Sequence, residues 1–255
     1  MDYKEYKKLY DGLKSHRDVK RLEKEGYDPK LVRTLYTQKV SRDVRKRHHS
    51  VKSRSKKMLN DWRHGTSIME IAERARFPPI LTAMMIFLED GASRKEFWEY
   101  VRNPDTLNAQ TARELREATE NDYVYSPAAN EDQRERGEWG EKLLEGWLDS
   151  QGVGYRTEDD LRGEYQKTPD ALLDEPMEWN GNEIRWVESK ASFGDNIEFR
   201  QNARKQLIPY TEIFGPGLVI HWVGCLNDLE CPESVYVADM GVLDTELKKP
   251  NGSKK

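Results

Sequence analysis

The chain has 255 residues, of which 35% are charged and 36% are hydrophobic, and its formal net charge at pH 7 is −4. This length suffices for two domains, each with its own core. No apolar run approaches the ~20 residues of a membrane-spanning helix, the N-terminus has no signal-peptide pattern, and there are only two cysteines. A membrane protein and a disulfide-stabilised secreted protein are therefore not expected, and a cytoplasmic location is predicted.

The first 90 residues contain an internal repeat. Residues 19–35 and 68–84 share their apolar and turn positions, so that Leu22 aligns with Ile71 and Pro29 with Pro78. Each copy is typical of two helices joined by a tight turn, and the pattern predicts a pair of helix-turn-helix motifs.

The second helix of the first copy has a polar face that is a candidate DNA-reading surface. Its residues are Lys30, Arg33, Thr34, Thr37, Gln38 and Ser41, of which Arg33, Thr37 and Gln38 are the predicted DNA contacts. The corresponding helix of the second copy is apolar almost all round, which predicts burial. The alternative is that these motifs pack against a protein partner or within the chain itself.

Charge is unevenly distributed along the chain. Residues 1–100 carry 24 Lys and Arg against 15 Asp and Glu, whereas residues 101–255 carry 18 against 31. The densest basic stretch is 42–57. A basic segment suits a polyanion such as DNA, and a solvated linker helix is the alternative. The predicted phosphate contacts in this stretch are Arg45, Lys46, Arg47, Lys52 and Arg54.

The composition predicts where the domains end. Residues 1–120 are predicted to form a helical domain that binds DNA or a partner. Asn, Asp, Ser and Pro cluster at 121–132, which predicts a linker. Residues 133–247 are predicted to form a second domain, and 248–255 a disordered tail.

Apolar residues recur at helical spacing within 131–150 and predict a helix packed on a sheet. This apolar stripe comprises Trp139, Leu143, Leu144, Trp147 and Leu148. Gly137 and Gly140 lie on or beside it, where a missing side chain permits close approach of the backbone. Glu141 lies at the edge of the stripe and is the acid best placed to reach the sheet.

Two strand-like runs follow, joined through a turn at 180–182. An antiparallel return would bring Asp170 beside Glu188. Alternation along 183–190 places Ile184, Trp186, Glu188 and Lys190 on one face. Two carboxylates and an ammonium at one point are typical of a Mg²⁺-dependent phosphodiester hydrolase, and a surface salt bridge is the alternative.

Two further apolar runs, 218–223 and 235–238, predict inner strands, and 196–208 predicts a helix between them and the hairpin. The predicted fold class is therefore α+β or α/β, with an all-α N-terminal domain followed by a mixed β-sheet flanked by helices.

Four motifs follow one another in the second domain: Gly137-x-x-x-Glu141, Asp170, Glu188-x-Lys190 and Gln206-x-x-x-Tyr210. In this order they resemble the PD-(D/E)xK nuclease superfamily. The tripeptide Thr168-Pro169-Asp170 and the run at 214–224 resemble, within that superfamily, the TPD-motif family of archaea, which is related to the human codanin-interacting nuclease.

The resemblance implies a restriction-endonuclease-like core and a Mg²⁺- or Mn²⁺-dependent DNA endonuclease that selects DNA by structure, duplex or branched. It implies catalytic roles for Glu141, Asp170, Glu188 and Lys190. Metal ligands would be Asp170, Glu188, Glu141 and the Ser189 backbone carbonyl, while Gln206 and Tyr210 would position DNA. A protein partner is a further expectation. The alternatives are an RNA nuclease, or a DNA-binding or scaffold protein that uses the nuclease fold without cleavage.

Overall fold

The computed structural model describes residues 1–250, and these residues form two compact units. Residues 1–36 and the described residues from 135 onward make the first unit, and residues 37–134 make the second. The boundaries fall within two long helices, α3 (Pro29–Lys52) and α9 (Pro127–Ser150). This division differs from the predicted one, which placed residues 1–120 in a single domain.

The second unit is helical. Besides parts of α3 and α9 it contains α4 (Ser55–Arg63), α5 (Ile68–Ala75), α6 (Pro79–Glu89), α7 (Arg94–Arg102) and α8 (Ala109–Glu120). Ser67 and Ser93 begin α5 and α7 with reciprocal capping boxes. Helix α6 is largely buried, as its apolar sequence predicts, and it shares a core with Phe97 and Leu115.

The predicted linker is a packed connection. Helix α8 ends at Glu120 and α9 already begins at Pro127. Between them, Asp122 is 4% exposed and accepts hydrogen bonds from the backbone N–H groups of Ile80, Val124 and Tyr125. Burial raises the pKa of Asp122. The polar composition of 121–132 thus reflects local capping rather than flexibility.

The first unit contains a five-stranded sheet. Its strands are β1 (Tyr155–Thr157), β2 (Ala171–Trp179), β3 (Asn182–Lys190), β4 (Gly217–His221) and β5 (Val235–Asp239). They are ordered β1-β2-β3-β4-β5. The pairs β1–β2 and β2–β3 are antiparallel, and the pairs β3–β4 and β4–β5 are parallel. Its remaining helices are α1 (Tyr3–Gly12), α2 (His16–Lys24), α10 (Glu158–Leu161), α11 (Asn196–Asn202) and α12 (Ile208–Phe214).

Helices cover both faces of this sheet. Leu144, Trp147 and Leu148 of α9 pack in one apolar cluster with the sheet, which confirms the predicted stripe. A second cluster joins Trp186 of β3 to residues of α11, α12 and the turn between them. Ile184 belongs to the α9 cluster, so the prediction that it shares a face with Trp186 is wrong. The β2–β3 pairing is irregular here: β2 advances from Leu172 to Met177 while β3 advances only from Ile184 to Trp186, so the regular pattern on which the prediction relied does not hold.

The N-terminal helices pack within the first unit. The ring of Tyr6 stacks on Phe193 with centroids 5.4 Å apart, and its hydroxyl donates a hydrogen bond to Asp195, 2.7 Å away. Leu9 and Leu13 of the same segment share this cluster. Residues 1–36 therefore pack against apolar surface of the unit that contains the sheet. The composition of the chain does not reveal this surface.

The segment that begins at residue 248 forms backbone hydrogen bonds with β2. Lys248 and Glu178 exchange two backbone hydrogen bonds of 2.7 and 3.0 Å, and Lys249 forms an ion pair with Glu175. The prediction of disorder from residue 248 is therefore wrong at Lys248 and Lys249, and residues 251–255 of the predicted tail lie outside the described residues. Within residues 1–250, no helix combines the length and apolarity needed to cross a membrane.

Candidate active site

The β2–β3 hairpin brings the predicted acids together. Asp170 immediately precedes β2, and Glu188 lies near the end of β3. The N–H of Asp170 donates to Glu188 Oε2 at 3.3 Å, and the N–H of Ser189 donates to Asp170 Oδ2 at 2.7 Å. Each acid is thus held by the backbone of the other's strand, so both carboxylates are fixed at one end of the hairpin.

Lys190 completes this group. Its Nζ lies 2.5 Å from Glu188 Oε1 and donates to Gln206 Oε1 at 3.0 Å. The Glu188 side chain is 2% exposed and that of Lys190 is 18% exposed. A buried carboxylate needs such a partner, because an unpaired charge in the interior is costly.

The two carboxylates make the site electrostatically strained without a further cation. Burial, followed by the charge of Glu188, raises the pKa of Asp170 to about 7. Burial also raises the pKa of Glu188, against the opposing effect of Lys190. One ammonium therefore does not fully compensate two buried acids, and a bound cation would stabilise their ionised forms.

These shifts predict the pH dependence of stability. Because the pKa of Asp170 lies above its ordinary value of 3.8, the folded chain binds a proton that the unfolded chain releases, and this stabilisation is lost as pH rises from about 4 to about 7. In chelator, we expect the free energy of unfolding to fall between pH 5 and pH 8 by roughly 2 kcal/mol more in the wild type than in Asp170→Asn. Urea denaturation at both pH values measures this, and equal falls would contradict it.

A cavity of about 210 Å³ opens onto the acids. Its lining residues are Glu158, Gln166, Lys167, Thr168, Asp170, Glu188, Gln206 and Tyr210. Glu158, Gln166 and Lys167 were not predicted. Glu158 follows the three-residue strand β1, whose Thr157 pairs with Ala171, so this pairing brings Glu158 to the site. Its charge contributes to the raised pKa of both Asp170 and Glu188. The sequence could have indicated Lys167, because this residue directly precedes Thr168-Pro169-Asp170. It could not have indicated Glu158, because β1 is too short to be detected by hydrophobic periodicity.

Glu141 stands apart from this pair. It is exposed on α9, and burial followed by the charge of Asp170 raises its pKa. In the described part of the chain, no three Asp, Glu, His or Cys side chains form a ready-made metal-binding group. The structure therefore brings Asp170, Glu188 and Lys190 into contact, and it leaves Glu141 as an electrostatic neighbour.

Tyr210, which was predicted to position DNA, lines the cavity but exposes little surface there. Its side chain is 2% exposed, its ring meets Trp186 edge to face, and its hydroxyl donates to the Thr168 carbonyl at 2.7 Å. Pro209 lacks an N–H, and the chain accommodates it with a π-helical turn, Ala203–Leu207, between α11 and α12. The helical path thus continues, and Tyr210 holds the loop that carries Asp170.

We expect Tyr210→Phe to loosen this loop with little loss of fold. Removing the hydroxyl leaves the ring packing intact but deletes one hydrogen bond, which is worth about 1 kcal/mol. Exchange of the amide hydrogens of Thr168 and Asp170 should accelerate, and exchange in β4 should stay unchanged. Tyr236→Phe, on a half-buried tyrosine of β5, is the matched control. Unchanged exchange at 168–170 would show that the bond does not hold the loop.

The glycines of α9 differ in their roles. A Cβ on Gly140 would lie 2.7 Å from Trp222 Cδ1 and 3.0 Å from Ser189 Oγ, and Trp222 Nε1 donates to that same oxygen at 2.8 Å. Gly140 therefore permits the predicted close approach of α9 to β3. A Cβ on Gly137 would meet nothing within 4 Å, so the prediction is wrong for Gly137.

The predicted DNA-reading face of α3 is only partly accessible. Thr34 is 3% and Gln38 is 9% exposed, Thr37 is half-buried, and Arg33 forms an ion pair with Glu23. The prediction that this whole polar face is open to DNA is therefore wrong at the buried positions, where the side chains are packed and hydrogen-bonded within the protein. Thr34, for example, accepts a hydrogen bond from Arg136.

The predicted phosphate contacts in the basic stretch 42–57 differ in accessibility. Arg47 donates to the carbonyls of Ala75 and Arg76 at the end of α5, which makes it a helix cap rather than a free cation. The other predicted phosphate contacts are exposed. They are Arg45, Lys46, Lys52 and Arg54.

Comparisons with known proteins identify relatives. The family model described as "Protein of unknown function TPD sequence-motif" matches residues 107–241. CDAN1-interacting nuclease 1 of Bos taurus is 31% identical over 216 residues, which cover 78% of this chain and 77% of that protein. The Homo sapiens protein of the same name is 30% identical with the same coverage. Uncharacterized protein L539 of Acanthamoeba polyphaga mimivirus is 31% identical over 115 residues, or 42% of each chain.

No solved structure matches this chain. The restriction-endonuclease-like fold and the PD-(D/E)xK superfamily therefore stay predictions, and these animal and viral relatives do not support an archaeal placement. The family itself is confirmed. With its family model matching residues 107–241 and a relative 31% identical over 78% of its length, the chain belongs to the TPD sequence-motif family.

Proposed function

We propose that this chain is a metal-dependent nuclease that hydrolyses phosphodiester bonds in DNA. The observation that carries the proposal is the contact of Asp170, Glu188 and Lys190 beside an open cavity. The relatives named CDAN1-interacting nuclease 1 support it, since their name states nuclease activity. The same name states an interaction with a protein, so a protein partner is part of the proposal.

The donor set fits Mg²⁺ or Mn²⁺. Both ions favour oxygen ligands, and Mg²⁺ commonly binds through one or two carboxylates together with substrate phosphate. Asp170 and Glu188 would hold the ion. The Ser189 N–H faces Asp170, and the N–H and C=O of one strand residue project to the same side, so the Ser189 carbonyl would be the third donor. Glu141, whose pKa responds to Asp170, would complete the acidic cluster.

When bound, the ion would supply positive charge to a phosphate oxygen and lower the pKa of water. The chain's own residues would do the rest. Lys190, held by Glu188 and Gln206, would neutralise charge that develops on phosphate and orient water. Tyr210, through Thr168, would keep Asp170 in position.

DNA is the proposed substrate because basic side chains are exposed on α3 and in the turn that follows it. Arg45, Lys46, Lys52 and Arg54 are exposed and suit phosphate contacts, which are independent of sequence. Gln206 lines the cavity and is proposed to contact the substrate there. Selection of duplex or branched DNA is also proposed, and the cleavage assay below tests it.

The test is a cleavage assay with the full chain. Labelled single-stranded, duplex, flap and four-way-junction DNA and matching RNA are incubated with Mg²⁺, Mn²⁺ or chelator, beside Glu188→Gln. We expect cleavage of DNA in either metal, none in chelator and none by the variant. Preferential cutting of RNA would favour the RNA nuclease. If wild type and variant both bind DNA and neither cuts any substrate, the chain is a DNA-binding or scaffold protein.

A further inference from the structure

A groove of about 590 Å³ lies in the first unit, along the last strand of the sheet. All five residues of β5 (Val235–Asp239) line it, together with Trp179, Leu226 and Leu229. Strand β5 is at the end of the strand order, and no strand of the described chain pairs with its other side. We call this feature the edge groove.

The strand is suited to pairing through its main chain. Val235 and Val237 pack into the cluster with Trp186, whereas Tyr236 and Ala238 pack into the cluster with α9. Because both faces are covered, the open part of β5 is the backbone on the side away from β4, apart from the Val235 N–H, which donates to the Pro232 carbonyl. Natural proteins protect such an edge with Lys, Pro or a bulge, and Val-Tyr-Val-Ala-Asp pairs with β4 without a bulge and contains neither residue.

The surroundings of the edge groove are acidic. Residues 222–247 contain no Lys or Arg, and their six acids are all exposed. These are Asp228, Glu230, Glu233, Asp239, Asp244 and Glu246. At one end of the groove, the Met1 ammonium donates to the Cys225 carbonyl and to Asn227 Oδ1. The negative charge of these six acids, the acidic rim, disfavours a nucleic acid and a second copy of the same edge, and it favours a cationic partner.

From the open edge and this charge we infer that β5 docks an extended, basic segment of a partner protein by adding it to the sheet as a sixth strand. Backbone hydrogen bonds would supply affinity, apolar side chains of the segment would enter the groove, and its Lys or Arg residues would pair with the acidic rim. This inference names the class of the proposed partner and its docking surface. It does not depend on phosphodiester cleavage.

The probe is a fluorescent heptapeptide, Lys-Val-Lys-Val-Lys-Val-Lys, with two analogues. One has alternate backbone nitrogens methylated, which prevents strand addition, and the other has Glu in place of Lys. We measure anisotropy at low ionic strength with the full chain, and hydrogen exchange at 235–239. We expect the parent peptide to bind and to slow exchange in β5, and both analogues to bind at least about tenfold more weakly.

The matched variants are Glu230→Lys with Glu233→Lys on the rim, and Glu117→Lys with Glu120→Lys on α8. The first pair should weaken peptide binding about tenfold, since two attractions become repulsions, and the second should not. Nuclease activity should be equal in both. The inference is overturned if no peptide binds, if methylation changes nothing, or if β5 exchange slows only through self-association seen by sedimentation.

Discussion

Asp170→Asn is expected to reduce metal-dependent DNA cleavage by at least about 10³-fold, while the chain stays folded. The substitution removes a negative charge that would hold the metal, but the amide oxygen can still accept the hydrogen bond from the Ser189 N–H. Relief of repulsion with Glu188 should also raise the stability of the metal-free protein at pH 8. The loss of activity would then be a loss of chemistry rather than of structure.

The control for this prediction is Asp174→Asn, an exposed aspartate on the same hairpin. It should cleave at the wild-type rate. Isothermal titration with Mn²⁺ provides a second readout, in which Asp170→Asn should bind the ion at least about tenfold more weakly. If Asp170→Asn cut DNA at the wild-type rate, Asp170 would not be an active-site residue. If it bound Mn²⁺ with wild-type affinity, Asp170 would not be a metal ligand.

Gly217→Ala is expected to be among the most destabilising single substitutions in the sheet. A Cβ at this position would lie 2.0 Å from Cε2 of Trp186. The indole cannot move away readily, because it is fully buried and its Nε1 donates to the Gly215 carbonyl at 2.8 Å. Overpacking of this kind costs about 3 kcal/mol, which would lower Tm by roughly 6–12 °C in a chain of this size.

Gly146→Ala is the matched control. Gly146 lies in α9, and a Cβ there would meet nothing within 4 Å. Alanine favours the helix by up to about 1 kcal/mol, so this variant should be as stable as the wild type or more stable. Thermal unfolding of both variants measures the difference. If Gly217→Ala unfolded at the wild-type temperature, the packing of Trp186 on β4 would not be tight.

The sequence by itself determined the elements that carry the site. Hydrophobic periodicity located α9, turn residues located the β2–β3 hairpin, and strand alternation placed Glu188 and Lys190 on one side. The contact between Asp170 and Glu188 followed from the same reasoning, because a hairpin is local and its geometry depends on a few turn residues. The resemblance to the TPD-motif family rests on Thr168-Pro169-Asp170 and the run at 214–224, and the family was confirmed.

Only the tertiary structure decided which polar residues are accessible. Thr34, Gln38 and Tyr210 are polar in sequence and buried in the fold, and Arg47 caps a helix. Long-range packing also moved residues 1–36 into the unit that contains the sheet, and it brought Glu158 to Asp170 through a strand of three residues. Burial depends on surfaces contributed by distant segments, whereas periodicity reports only which faces of one segment are apolar.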